Sequence, residues 1–277
     1  MPVSETDLTV QTGDGVRLAV RLTAPAVWAQ TGAPAGTAVV AHGAGSSRDF
    51  ARRAFAPALL EAGWRLVSYD LRSHGASTPV HDGDRLRMQD HVADLLLVAR
   101  SVDATVLGGV SMGAHAAVFA AAAEPATVTD GLLLALPAWT GRPDVVAAAN
   151  AVQAGELRRL GTAACLERIC RDHPGWVADE LATAWPKHDQ DAFAAMLSAL
   201  AASDGPTPEL LAALDVPAGI VALADDPMHP AAVAELWAAS LPYAVAAVLP
   251  FDAPVADRRV IGDAAVWAWR EALSGSR

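Results

Sequence analysis

Long apolar runs are missing from this chain: no stretch is both long enough and free enough of charge to span a bilayer. Blocks rich in lysine and arginine are missing too. The formal net charge is −11, so phosphate backbones and anionic membrane surfaces would be repelled. Cysteine is scarce. Cys165 and Cys170 lie five residues apart in a stretch of helical spacing, on different faces, which argues against a disulfide. Two thiols alone make a poor metal site, and reduced thiols in a cytoplasmic chain are the expectation. The acidic start, Met1 to Asp7, lacks a basic region followed by an apolar core and does not read as a secretory signal. Internal repeats are absent, and no histidine follows His229. What these absences leave is a small-molecule substrate, with no nucleic acid, membrane, cofactor or metal required. They leave the oligomeric state open.

What is present is apolar and rhythmic. The chain has 277 residues, 53% of them hydrophobic, enough for one large α/β domain or one domain with an insertion. Leu8 to Thr12 and Val16 to Leu22 alternate around Gly13-Asp14-Gly15 and predict a hairpin with one exposed face. Residues 24–36 read as a loop. Strands are expected at Thr37–Ala41, Trp64–Tyr69, Ala104–Gly108 and Gly131–Leu136, with helices at Ala51–Ala62 and Met88–Val102 between them. Short continuous apolar strands alternating with helices predict a mostly parallel sheet covered on both faces. Between residues 138 and 214 the rhythm breaks into helical segments and loops. It resumes with Ala218–Leu223, a helix near Ala231–Ala239, the strand Ala244–Leu249 and a last helix from Arg259 to Leu273.

At the centre stands Gly109-Val110-Ser111-Met112-Gly113, entered by an apolar run and left by an Ala-rich one. This is G-x-S-x-G in a strand–turn–helix setting, the nucleophile elbow. A serine squeezed between strand and helix sits on strained backbone, and the two glycines remove side chains that would clash. The helix that follows aims its N-terminal N–H groups at the reacting centre, where they favour negative charge.

Three further motifs accompany the elbow, in order: His42-Gly43, Asp70-x-Arg72-x-His74-Gly75-x-Ser77 and Asp226-x-x-x-Pro230. With these the chain resembles a cap-bearing α/β-hydrolase along nearly its whole length. The resemblance implies a mostly parallel twisted sheet with helices on both faces. It implies a core of residues 1–137 and 215–277 and a helical cap, 138–214, inserted after the sixth strand. It also implies site roles. Ser111 is the nucleophile, and the backbone N–H groups of Met112 and Ala44 are the oxyanion donors. His42 and Gly43 border the substrate, and Asp226 is the acid, with Asp225 as the adjacent alternative. Trp139 is expected near the substrate from its own position, just after Pro137 at the end of a strand.

A serine nucleophile needs a base within hydrogen-bond reach. In the resembled family that histidine follows the last strand, but here the region reads Leu249-Pro250-Phe251-Asp252-Ala253-Pro254-Val255. His229, three residues beyond Asp226, is the candidate for a relocated base, and Asp252 is placed to orient it. Of the other histidines, His42 and His74 are expected to brace loops and His115 to pack inside. His91, His81, His173 and His188 are expected at the surface. Most tryptophans are expected in the core. Three functions fit these residues. One is a serine hydrolase of a hydrophobic ester, thioester or lactone. Another is a non-hydrolytic lyase or cyclase using the oxyanion donors, and the third is an inactive binding module.

Overall fold

A computed structural model describes residues 2–26, 34–172 and 175–275. The chain opens with β1 (Val3–Gln11) and β2 (Arg17–Pro25), the expected hairpin, paired antiparallel from Val3↔Pro25 to Gln11↔Arg17. The core then alternates β3 (Gly36–Ala41), α1 (Arg48–Glu61), β4 (Trp64–Tyr69), α2 (Met88–Ser101), β5 (Val106–Val110), α3 (Met112–Ala123) and β6 (Gly131–Ala135). Among the described residues five α-helices follow without a strand: α4 (Val145–Leu160), α5 (Thr162–Asp172), α6 (Trp176–Ala184), α7 (Gln190–Ala201) and α8 (Pro208–Ala212). The sheet resumes with β7 (Ala218–Leu223), α9 (Ala231–Ser240), β8 (Ala244–Leu249) and α10 (Arg259–Gly275).

The eight strands form one sheet in the order β1-β2-β4-β3-β5-β6-β7-β8, parallel from β4 to β8. β5, β6 and β7 are buried at every residue, as strands covered on both faces must be. One apolar layer lies under α2 and α3, the other under α1 and α10. The chain leaves β3 outward to β4 and then returns past it to β5. That reversal opens a crevice beyond the carboxyl ends of β3 and β5, where open α/β sheets bind ligands. The loop after β3 and the elbow after β5 flank this crevice.

Local chemistry sets the helix starts. Ser47 caps α1 by accepting from the Phe50 N–H at 3.3 Å, and Asp144 caps α4 by accepting from Val146 and Ala147. The loop after β4 is stitched from a distance. Asp70 accepts from the Arg48 N–H at 2.9 Å and from the Ala76 N–H at 3.1 Å. Arg72 grips Asp94 of α2 bidentately at 2.7 and 2.6 Å, both side chains being buried.

Two surface expectations are corrected. His91 is buried, because α2 turns Met88, His91, Asp94 and Leu95 toward the sheet and the helical period carries the ring inward. His188 is buried as well: its Nδ1 accepts from the Gly75 N–H at 2.9 Å, so it is packed onto the loop after β4. His81 is exposed, and His173 lies outside the described residues. Trp139, Trp176, Trp185, Trp237 and Trp269 are buried, whereas Trp267 is half exposed. Cys165 and Cys170 are free thiols, the first buried and the second exposed.

Candidate active site

The elbow is built by its glycines. Ser111 has φ 53° and ψ −116°, a region L-residues rarely enter, at a cost of about 1–3 kcal/mol that the flanking strand and helix must hold in place. Its N–H donates to the Ala135 carbonyl of β6 at 2.8 Å, and its carbonyl accepts from the Ala114 and His115 N–H groups. A Cβ on Gly109 would run into the Gly113 carbonyl group, and one on Gly113 would lie 2.5 Å from the Ala41 carbonyl oxygen. Backbone cannot yield there as a flexible side chain can. The Gly113→Val variant is therefore expected to lose about 3 kcal/mol or more, or to be insoluble. Thermal unfolding measures this, and an unchanged Tm would remove the claim of a crowded elbow.

Around Ser111 the donors are free. Neither the Met112 nor the Ala44 N–H donates to any described residue. The neighbours of Ala44 are, by contrast, committed: Gly45 N–H donates to His74 Nε2 at 3.0 Å and Ser46 N–H to the Gly43 carbonyl at 3.1 Å. Gly43 abuts the elbow, and a Cβ there would sit 3.2 Å from Ser111 Cβ. His42 is fully buried. Its Nδ1 meets the Gly43 carbonyl at 2.7 Å and its Nε2 accepts from Leu71 N–H at 3.1 Å, so it braces the turn from behind. His74 does the same from the loop after β4, its Nδ1 donating to the Arg72 carbonyl. Burial lowers the pKa of both rings, which keeps them neutral.

The turn after β7 carries the two other residues expected from the sequence, Asp226 and His229. Asp225 is exposed and adopts the left-handed conformation, φ 59°, whereas Asp226 is buried. Asp226 Oδ1 accepts from the N–H groups of Met228 at 2.9 Å and His229 at 3.2 Å, and its Oδ2 lies 2.9 Å from His229 Nδ1. Burial pushes the Asp226 carboxyl up. The His229 hydrogen bond and charge and the two N–H groups outweigh it, leaving the pKa below the usual carboxylate value. An ionised carboxylate only accepts, so the hydrogen on this bond belongs to His229 Nδ1. No described residue accepts from or donates to Ser111 Oγ. His229 is near enough to His115, one turn beyond Ser111 on α3, for its charge to lower the His115 pKa further. Burial is the larger cause of that drop, to about 3.

Asp252 is exposed. Among the described residues it makes no bond to His229, and its carbonyl accepts from Val255 N–H. That loop is tied instead to α6, with Trp176 Nε1 donating to the Phe251 carbonyl at 3.0 Å. Trp139 is buried against the His115 ring, centroids 4.5 Å apart, and its Nε1 donates to the Ser203 carbonyl. Residues absent from the sequence-based site also converge here. Trp185 and Phe193 pack on Gly45, and the His74 ring lies 4.9 Å from His42 and 4.8 Å from His188. Only tertiary contact joins them, since they come from segments far apart in the chain. Two surface cavities, of about 740 and 930 Å³, are lined by other residues.

A serine elbow at the switch point of an eight-stranded, mostly parallel sheet defines an α/β-hydrolase. A family model for serine aminopeptidase, S33, matches residues 32–214, and the chain belongs to this hydrolase family. The match takes in His42, Ala44 and Ser111 and ends before Asp226. No curated protein matches the chain by sequence. Several solved structures share the fold. An esterase from Thermogutta terrifontis is 23% identical with TM-score 0.70, over 99% of both chains. The enol-lactonase from Burkholderia xenovorans LB400 is 20% identical with TM-score 0.72, over 96% of this chain and 100% of that one. The bottromycin epimerase BotH is 19% identical with TM-score 0.67, over 97% and 98%. Among the described residues no helix is long and apolar enough to cross a membrane, and no acidic, histidine and cysteine cluster suits a metal.

Proposed function

We propose that this chain is a serine hydrolase that cleaves an ester, thioester or lactone of a hydrophobic small molecule through an acyl-enzyme. Two observations support this reading: the Asp226–His229 pair, 2.9 Å apart on the turn after β7, and the strained backbone of Ser111 at the elbow. His229 Nε2 takes the Ser111 proton as Oγ attacks the carbonyl carbon. The oxyanion is held by the Ala44 and Met112 N–H groups. On collapse His229 returns the proton to the leaving group, and a water activated by the same nitrogen releases the acid. Asp226 stabilises the imidazolium and holds its tautomer. Asp252 has no part in this arrangement. Residues 138–214 act as the cap, and the aromatic residues they bring, with Trp139 at their start, favour an apolar substrate.

A fluorophosphonate probe tests the serine. Wild type is expected to label and to turn over activated short-chain esters. Ser111→Ala is expected to do neither at an unchanged Tm, because the hydroxyl is a small, half-buried group. A second reading rests on the same unbonded Ser111 Oγ and on a fold neighbour that is an epimerase. There the N–H pair would stabilise an enolate, with no acyl-enzyme. Absence of labelling on a folded wild type would favour it.

A further inference from the structure

The two edges of the sheet are built differently. β1 carries Glu5 and Asp7, which pair with Arg21 and Arg52, and a charged edge discourages another strand from adding. β8 carries no charge, and neither does any residue from Ser240 to Phe251, twelve in succession. The other parallel strands of the core are largely buried, but β8 is half-buried, with Val248 46% exposed and Tyr243, the residue before the strand, 38% exposed. Leu236 of α9, the helix packed on one face of β8, is 43% exposed. Pro242 and Pro250 bracket the strand and lie outside its ladder, so they leave all six residues able to pair.

The edge is also self-complementary. The Tyr243 and Leu249 carbonyls accept from β7-side N–H groups, of Ala218 and Ala224, each at 2.8 Å. With a period of two, the odd-numbered residues face β7, and Ala244, Ala246 and Val248 turn both N–H and C=O outward. These three are symmetric about Ala246.

We propose that β8 is a dimerisation edge. Two copies of this chain pair their β8 strands antiparallel about a two-fold axis at Ala246, joining two eight-stranded sheets into one continuous sheet. Ala244 then faces the partner's Val248, Ala246 faces the partner's Ala246, and every outward N–H finds a carbonyl. The occupant is a second copy for two reasons. A two-fold satisfies this register with no other sequence, and two chains of charge −11 repel least where neither carries charge.

Light scattering after size exclusion, at tens of micromolar, is expected to give twice the 28.6 kDa chain mass. Val248→Lys puts two ammonium groups on the joined edge, and its expected mass is that of the single chain, at unchanged circular dichroism. A wild type that runs as a single chain overturns the proposal, whether or not some other protein adds to that edge. A Val248→Lys protein that stays dimeric overturns it too. Cross-linking reads the register directly. Paired residues across a hydrogen-bonded antiparallel site have Cα atoms about 5.5 Å apart, within disulfide range. Ala246→Cys, in a chain whose exposed Cys170 is replaced by serine, is therefore expected to oxidise to a covalent dimer. Failure to cross-link rules out the two-fold at Ala246.

Discussion

His229→Gln is expected to lower kcat/KM for an activated ester by about a thousandfold or more, a loss of about 4 kcal/mol of transition-state stabilisation. Glutamine is close in size and still able to hydrogen-bond Asp226, so the fold and the turn after β7 should survive. What it cannot do is accept the Ser111 proton. Serine activation and water activation fail together, and for that reason the loss is large. The control is Asp252→Asn, expected within about twofold of wild type because Asp252 is exposed and unbonded to the histidine. Steady-state kinetics with matched Tm values decide the matter. If the glutamine variant keeps a tenth of its activity, the base lies elsewhere, and the non-hydrolytic reading becomes the better account of the site.

Acid is expected to unfold this protein well above the range where carboxylates titrate. His42, His74, His91, His115 and His188 are all buried, and burial lowers every one of their pKa values. His91 and His115 fall to about 3 and His188 to about 4. In the unfolded chain each takes a proton near pH 6.5, whereas in the folded chain burial keeps each neutral to lower pH. Below pH 6.5 the unfolded state therefore binds more protons, and stability falls as the pH drops toward 4. At pH 5 each such histidine costs ~2 kcal/mol, so these three alone approach the whole stability of a typical domain. Asp94 and Glu180, pushed up by burial, work in the opposite direction, but they are two groups against five. Thermal unfolding at pH 7.5 and pH 5 is expected to differ on the order of 15 °C. His91→Leu should shallow that dependence, because it removes one of the buried rings whose pKa burial lowers. A Tm that stays level between the two pH values would be incompatible with five neutral buried rings.

The order and kind of the elements were legible in the sequence because they depend on neighbours in the chain. Apolar period, glycine stops and the β3–α1–β4 rhythm are local signals. The elbow was legible for the same reason: its strain, its glycines and its helix lie within a few residues of Ser111. Even Asp226 and His229 could be named, three positions apart on one turn.

What the sequence left open was direction and burial at longer range. That the His229 ring meets Asp226 and makes no bond to Asp252 is visible only in the folded loop after β7. His91 and His188 read as surface residues. Which face of α2 is inner is chosen by the sheet it packs on, and His188 is covered because Gly75, 113 residues away, donates to it. The Arg72–Asp94 grip, Asp70 reaching back to Arg48, and Trp185 laid on Gly45 each join segments that no local rule connects. By itself, then, the sequence determined the strand–elbow–helix unit around Ser111 and the fold that carries it, since chain-local sterics and periodicity dictate both. The tertiary structure alone decided that His229 pairs with Asp226 and which histidines are shut away from water, because burial is set by what the chain brings back from afar.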